Sequence, residues 1–234
     1  MDRRTFLLAA PAVLGSGCVS VPGDASGPPI PAPTVRVGDR WVYNCSDGFR
    51  VQVTWVETHE VITIDSTGIA VRVTLVGPTM NYERVELWQA PGIVLIGSAY
   101  DNAETRKFVS PMIRFDFPLT PGASWRQQLQ NVDPQTGLTS NISRFVRVGG
   151  YQSVSVPAGT FNALTMRTIM QVDDNNPFRF PTQCNYVTWF AQEVGAMVRE
   201  TKYATYRERG DIDGFSIRSQ NTTIELASYK LAPR

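Results

Sequence analysis

The stretch that decides the fold is IAVRVTLV, which runs from Ile69 to Val76. If this stretch is extended, one face carries only apolar side chains, those of Ile69, Val71, Val73 and Leu75. Successive side chains of a β-strand point to opposite faces of a sheet, so this alternation predicts a strand with one buried face.

The same period of two recurs along most of the chain. It is clear in RVQVTWVE at 50–57 and again at 151–156 and 164–172. Further predicted strands are 40–46, 60–65, 82–89, 93–99, 125–130, 141–148, 183–190, 196–208 and 212–229. Turn-forming residues separate them, among them Ser66-Thr67-Gly68, Pro91-Gly92 and Gly149-Gly150. Many short strands joined by such turns predict an all-β fold, an antiparallel curved sheet in the form of a half-barrel or sandwich.

The composition excludes several classes of function. The chain has 234 residues, 42% of them hydrophobic, with 22 basic against 21 acidic side chains and a single histidine. A net charge near zero gives no electrostatic basis for binding nucleic acid. The single histidine and the three cysteines are widely separated and form no cluster, whereas a typical zinc site has closely spaced histidine and cysteine ligands. We therefore predict no nucleic-acid partner, no metal and no cofactor.

The N-terminus has the layout of an export signal. Arg3 and Arg4 are followed by a short apolar stretch, Phe6 to Leu14, and then by small residues that lead to Cys18. The apolar stretch is far shorter than the roughly 20 residues that a membrane-spanning helix needs. Residues 1–17 are therefore predicted to be a cleaved signal peptide.

Two resemblances sharpen this prediction. RRTFL at 3–7 resembles the core of the bacterial twin-arginine signal, although Asp2 and Leu8 depart from its flanks, and the general secretion route is the alternative. LGSGC at 14–18 resembles a lipobox, although its leucine lies four residues before Cys18 rather than three. The resemblance implies that Cys18 carries lipid, palmitate included, and anchors the protein in a membrane. The alternative is a soluble periplasmic protein cut nearby.

A proline-rich segment follows the cysteine. Residues 19–34 hold five prolines together with glycine and serine, a composition typical of an extended tether. The predicted organisation is a signal at 1–17, a lipidated cysteine and linker at 18–34, and a β-domain at 35–234. Because Val19 rather than aspartate follows Cys18, resemblance to sorted lipoproteins implies the outer membrane, with the domain facing the periplasm.

Two cysteines remain in the predicted mature domain. Cys45 and Cys184 would lie in an oxidising compartment, where an even number of cysteines favours a disulfide. They either form this bridge or remain two buried thiols.

The body resembles uncharacterised bacterial envelope β-domain families. The resemblance is carried by VPAGTF at 156–161, by GDRWVY at 38–43, and by WF at 189–190 with VGAMVRE at 194–200. It implies an envelope β-domain, similar to the half-barrels of lipoprotein carriers. It implies no catalytic residues, because none are known for the pattern.

Few side chains in the body have the spacing that catalysis requires. His59 lies between Glu57 and Glu60 in a strand-like stretch and is predicted to be a surface histidine. The sequence has no nucleophile elbow, phosphate-binding loop or C-x-x-C motif. The sequence thus predicts no catalytic, cofactor-binding or metal residues and a protein that is not an enzyme.

Segment 101–118 is the least strand-like part of the body. Its apolar residues follow no steady period, and Pro111 and Pro118 interrupt it. We predict a loop or short turn that lays Phe108, Met112, Phe115 and Phe117 over an open end or face of the sheet as a lid. The alternative is an irregular edge strand.

Three functions remain after these exclusions. The first is a non-enzymatic envelope lipoprotein that binds an apolar small molecule or an envelope protein. The second is a structural or assembly lipoprotein with protein partners only. The third and weakest is a hydrolase with an unrecognised site.

Overall fold

The computed structural model describes residues 25–48, 52–101, 104–132, 137–173, 178–210 and 217–233. They contain twelve β-strands and no helix, and hence no helix that is long and apolar enough to cross a membrane. The strands are β1 (Arg40–Asp47), β2 (Val53–Asp65), β3 (Gly68–Gly77), β4 (Met80–Ala90), β5 (Ile93–Gly97), β6 (Arg106–Ile113), β7 (Ser124–Val132), β8 (Thr139–Val156), β9 (Gly159–Asp173), β10 (Thr182–Ala191), β11 (Ala196–Tyr206) and β12 (Ile217–Lys230).

The strands form a closed antiparallel barrel rather than the predicted half-barrel or sandwich. Each strand pairs with its neighbours in sequence, and β1 closes the sheet by pairing with β12, from Arg40 opposite Lys230 to Asp47 opposite Thr222. Closure removes the two free edges that an open sheet would expose. The prediction of an all-β antiparallel fold is confirmed, and the half-barrel is corrected to a barrel.

The alternation in β3 determines which face lines the barrel. Val71, Val73 and Leu75 are fully buried inside, while the residues between them are partly exposed outside. The predicted strands at 50–57 and 60–65 belong to one strand, β2, whose inward face continues from Trp55 to Val61. A strand is therefore longer than its most regular stretch of sequence.

Two glycines that predicted a turn lie inside a strand. β8 continues through Gly149 and Gly150, and its register against β9 shifts between Val148 and Tyr151. This is a β-bulge, which bends a strand and lets it turn a corner of the barrel. By contrast, residues 156–161 form the predicted tight turn, with Val156 opposite Gly159 at the start of β9.

The pairing between β6 and β7 is the shortest in the barrel wall. Only Lys107 and Phe108 have partners on β7, and Pro111 cannot donate a ladder hydrogen bond. The side chain of Gln127 replaces part of the ladder: its Oε1 accepts from the backbone N–H of Ile113 at 2.8 Å, and its Nε2 donates to the carbonyl of Pro111 at 3.1 Å.

The N-terminal segment, residues 25–39, covers one end of the barrel, which we call the covered end. Ile30 and Leu119 exchange two backbone hydrogen bonds of 3.0 and 2.8 Å, and the hydroxyl of Tyr151 donates to the carbonyl of Pro28 at 2.7 Å. Ile30 is 1% exposed. Packing against the barrel thus begins before residue 35, the predicted start of the β-domain.

Candidate functional site in the barrel lumen

The interior of the barrel, the lumen, contains a cavity of about 110 Å³. Its lining includes Pro33 from the N-terminal segment and Gly92 and Gly195 from turns at the covered end. Most of the wall is apolar, and the apolar side chains include those of Val94, Met112, Phe117, Val146, Met166 and Phe190. The cavity therefore reaches from the covered end into the middle of the barrel.

Charged side chains line one part of the same cavity. The described residues around it include three carboxylates, four cationic side chains and the histidine: Glu57, Glu86, Glu200, Arg84, Arg114, Arg144, Lys202 and His59. They come from β2, β4, β8, β11 and the segment after β6. The lumen is thus amphipathic, with an apolar wall and an ionic cluster.

His59 and Glu57 form a tight buried pair on β2. His59 Nε2 lies 2.6 Å from Glu57 Oε1, and the ring packs edge-on against Tyr43 with centroids 5.3 Å apart. Burial alone would raise the pKa of Glu57, but the hydrogen bond and charge of His59 and the charge of Arg84 lower it to about 2. Since an ionised carboxylate only accepts hydrogen bonds, Nε2 carries the proton and donates it.

This pair corrects the interpretation of His59 as a surface residue. His59 is 8% exposed and points into the lumen. Trp55, Glu57, His59 and Val61 share the inward face of β2, so the alternation that predicted the strand also predicts the inward position of His59.

Glu86 joins two guanidinium groups. Its Oε1 accepts from Arg84 Nη2 at 3.1 Å, and its Oε2 accepts from Arg114 Nη1 at 3.1 Å and from Trp88 Nε1 at 2.9 Å. Burial raises the pKa of Glu86, but the charges of Arg114 and Arg84 outweigh it and hold that pKa well below the usual range. Glu86 is therefore ionised at neutral pH.

Glu200 is held in a similar way on the opposite wall. Its Oε2 accepts from Thr188 Oγ1 at 2.7 Å, and its Oε1 lies 3.2 Å from Lys202 Nζ. The ammonium of Lys202 also lies over the ring of Tyr186, 5.6 Å from its centroid.

Arg144 on β8 is bonded differently. Its Nη1 donates to the carbonyl of Ile113 and its Nη2 to the carbonyl of Arg114 at 3.3 Å. No carboxylate in the described ranges forms an ion pair with it. Burial and the positive charge of Arg114 lower the pKa of Arg144 to about 10, so the side chain is still charged at neutral pH.

Aromatic rings pack together at the covered end of the lumen. Phe115 and Phe117 follow β6 and pack edge-on against Phe190, with centroid distances of 5.3 and 5.5 Å. Both phenylalanines line the cavity.

Two of the four residues of the predicted lid lie on a strand and two lie outside any strand. Phe108 and Met112 lie on β6, a strand of the wall, with their side chains buried, so the prediction of a loop is wrong for them. The sequence does not indicate their inward orientation, because Pro111 interrupts β6 and its apolar residues do not alternate regularly. Phe115 and Phe117 lie outside any strand at the covered end, and their action as a lid stays a prediction.

Neither cysteine of the predicted disulfide lines the cavity. Cys45 on β1 and Cys184 on β10 are buried but not bridged. β11 and β12 lie between their strands, and three strand spacings of about 4.8 Å exceed the Cα separation of a disulfide. Arg3, Arg4 and Cys18 lie outside the described residues, as do the whole signal and the first part of the linker.

Metal ligands do not gather in the part of the chain that the structure describes. It contains no group of three histidine, cysteine, aspartate or glutamate side chains placed to hold an ion.

The comparisons with known proteins give a fold and no activity. The sequence matches no protein-family model and no curated protein. A crystal structure of a protein assigned as exported, with a YmcC-like fold, from Bacteroides fragilis is similar at a TM-score of 0.53 and 15% identity, over 86% of this chain and 98% of that one. A protein from Parabacteroides distasonis that is assigned as a lipoprotein is similar at a TM-score of 0.50 and 12% identity, over 86% of this chain and 97% of that one. The chain thus shares the fold of two bacterial proteins assigned as exported or as a lipoprotein.

Proposed function

We propose that this chain is a non-enzymatic envelope lipoprotein whose barrel binds a small apolar ligand in its lumen. The observation that carries the proposal is the cavity of about 110 Å³ with a largely apolar wall. Tightly packed interiors leave few voids larger than a water molecule, and small-molecule sites are mostly apolar cavities with a few polar groups.

The size of the cavity limits the ligand. An apolar cavity of about 150 Å³ in another protein admits benzene, and the lumen cavity of about 110 Å³ is smaller. The part of a ligand that it encloses is therefore no larger than a small ring or a short aliphatic chain. Because the lining reaches the covered end, a longer chain would extend past Phe115 and Phe117. The ligand class is therefore a slender apolar molecule rather than a bulky one.

The experiment measures binding of octan-1-ol to the purified protein by isothermal titration calorimetry. Thr168 on β9 lines the lumen and Ile169 beside it faces outward, so Thr168→Phe fills the cavity and Ile169→Phe is its matched control. We expect Thr168→Phe to abolish binding while Ile169→Phe binds like the wild type. Circular dichroism checks that both variants fold, since overpacking costs about 1–3 kcal/mol. If octan-1-ol does not bind the wild type, or binds Thr168→Phe equally, the lumen is not the site.

The location in the envelope rests on the N-terminal sequence and is supported by the shared fold. We propose that Cys18 carries lipid, that the anchor lies in the outer membrane, and that the barrel faces the periplasm. Cys18→Ser should move the protein from the membrane fraction to the soluble periplasmic fraction with its fold intact, whereas Cys45→Ser should leave it in the membrane. A Cys18→Ser protein that stays in the membrane fraction would show that the anchor lies elsewhere.

The hydrolase alternative has one favourable observation, the three carboxylates of the ionic cluster in the lumen. It is weakened because Glu57 and Glu86 are held ionised by cations, and a general acid needs a pKa near the working pH. Hydrolysis of p-nitrophenyl butyrate tests it. Turnover by the wild type that Glu57→Gln abolishes would favour an enzyme.

A further inference from the structure

The charges that line the lumen do not balance. Of the described residues around the cavity, three are carboxylates and four are Arg or Lys side chains, and His59 adds a further positive charge when it is protonated. Each carboxylate has a cation beside it: Glu57 has Arg84 at 3.9 Å, Glu86 has Arg84 and Arg114, and Glu200 has Lys202. One positive charge remains without an acidic partner.

The surplus charge belongs to Arg144. Its neighbour Arg114 is paired with Glu86 at 3.1 Å, whereas the guanidinium of Arg144 contacts only the carbonyls of Ile113 and Arg114 within the described residues. Glu200 acts on it electrostatically, but its oxygens accept a hydrogen bond from Thr188 and pair with the ammonium of Lys202. Arg144 therefore has N–H groups beyond those two contacts and an uncompensated charge at the cavity wall.

A buried charge without a counter-ion is costly, by several kcal/mol even after the protein relaxes. Arg144 is 8% exposed, and Arg114 beside it adds repulsion rather than relief. Two carbonyl dipoles offset part of this cost, but a charge-assisted hydrogen bond to an anion is stronger. An anion that enters the lumen would thus gain most at this side chain.

The surroundings of Arg144 indicate what kind of anion. Val146 follows it on the same inward face of β8 and lies opposite Thr168, and Met166 lies one inward position further along β9. All of them line the cavity, which continues to Phe190 at the covered end. A ligand held at Arg144 therefore has its remaining atoms against apolar side chains.

We infer that Arg144 binds the acid group of a monoanionic amphiphile, a carboxylate with a short aliphatic chain, whose chain occupies the apolar part of the lumen. This inference rests on the proposed function and names its ligand class. The single positive charge of Arg144 matches a carboxylate. A phosphate monoester carries about 1.5 to 2 negative charges near pH 7, which would exceed the charge of Arg144 and repel the three resident carboxylates.

The experiment compares octanoate with octanamide, which has the same chain and nearly the same shape but no charge. Affinities are measured by calorimetry and by quenching of tryptophan fluorescence, because Trp41 and Trp88 line the cavity. We expect the wild type to bind octanoate at least about tenfold more tightly than octanamide, the preference that one charge-assisted hydrogen bond supplies.

Variants on one strand assign the preference to Arg144. Arg144→Gln should bring the two affinities within about threefold of each other, and Arg144→Lys should keep part of the preference, because the charge but not the fork remains. Arg147→Gln is the matched control, since Arg147 lies on β8 and faces outward. It should behave like the wild type.

The outcomes separate the inference from the proposed function. Equal binding of octanoate and octanamide by the wild type overturns the inference and leaves the apolar site standing. An octanoate preference that Arg147→Gln loses, or that Arg144→Gln retains, also overturns it. Binding of neither compound overturns both. If Arg144→Gln does not fold, the wild-type preference and its partial retention in Arg144→Lys still decide the inference.

Discussion

Replacing Glu86 by glutamine tests whether the ionic cluster is as tightly coupled as its geometry indicates. Glu86 is fully buried, and its two oxygens accept hydrogen bonds from Arg84, Arg114 and Trp88. Glutamine keeps one acceptor oxygen and places an amide N–H₂ where the other oxygen was. That amide group faces a donor, and two guanidinium charges lose their shared counter-ion.

The expected loss of stability follows from breaking a buried ion pair. Removing one partner of such a pair costs about 3–5 kcal/mol, because the remaining charge stays buried and uncompensated. For a domain of 150–250 residues each kcal/mol lowers the melting temperature by about 2–4 °C, so the expected decrease is about 6–20 °C.

The assay is thermal and urea denaturation followed by circular dichroism. Glu83→Gln is the matched control, because Glu83 lies on the same strand with its side chain 60% exposed and 3.9 Å from Arg72. An exposed pair contributes about 0–1 kcal/mol, so Glu83→Gln should melt close to the wild type. If Glu86→Gln also stays within 1 kcal/mol of the wild type, the cluster does not hold its charges as described and the reasoning is refuted.

Three further predictions concern other parts of the barrel. Because the pKa of Glu57 is lowered to about 2 from 4.5, its contribution to stability is complete above about pH 4.5 and is lost as the pH falls towards 2. The melting temperature should decrease more steeply across that window in the wild type than in Glu57→Gln, and parallel curves would contradict the assignment. Ile30→Ala should cost about 2–5 kcal/mol as a buried truncation, whereas Val37→Ala, at an exposed position of the same segment, should be nearly neutral; equal effects in urea denaturation would show that the segment does not pack. Gln127→Ala should cost about 1–2 kcal/mol through its two backbone hydrogen bonds, and Gln128→Ala, which faces outward, should not; equal stabilities would mean that the β6–β7 wall holds without Gln127.

The strands of this fold could be predicted because their signal is local. The alternation in β3 or β9 lies within one stretch of sequence and needs no knowledge of the partner strand. Closure of the barrel is different, since β1 and β12 lie at opposite ends of the domain and no local pattern requires them to pair. β6 was missed because Pro111 removes a ladder hydrogen bond and the side chain of Gln127 replaces it, which only the folded structure reveals.

The sequence analysis does not predict the charged lumen, although the alternation in β2 and β4 contains the signal for it. Glu57 and His59 occupy the same parity as Trp55, and Arg84 and Glu86 the same parity as Trp88. The interpretation of His59 as a surface residue overlooks the period of two, which places it on the inward face with Trp55. Opposite charges at inward positions of β2 and β4, the two strands that flank β3, are a signal of a buried ionic cluster. Arg144, Glu200 and Lys202 join that cluster only through the closed barrel.

The ionic cluster also bears on why the lumen is not simply filled. A buried ion pair is seldom better for stability than apolar side chains of similar volume, and replacing such groups is often neutral or stabilising. The inward face of β3, with Val71, Val73 and Leu75, shows that this chain can line the barrel with apolar residues alone. Stability therefore does not require the charges on the facing walls. A cavity beside them, and a guanidinium at Arg144 that no described carboxylate neutralises, are instead what a site needs in order to select a ligand by both its chain and its acid group. The stability of Glu86→Gln and the ligand preference of Arg144→Gln separate the two roles, because the first breaks a pair that is already satisfied and the second removes a charge that is not.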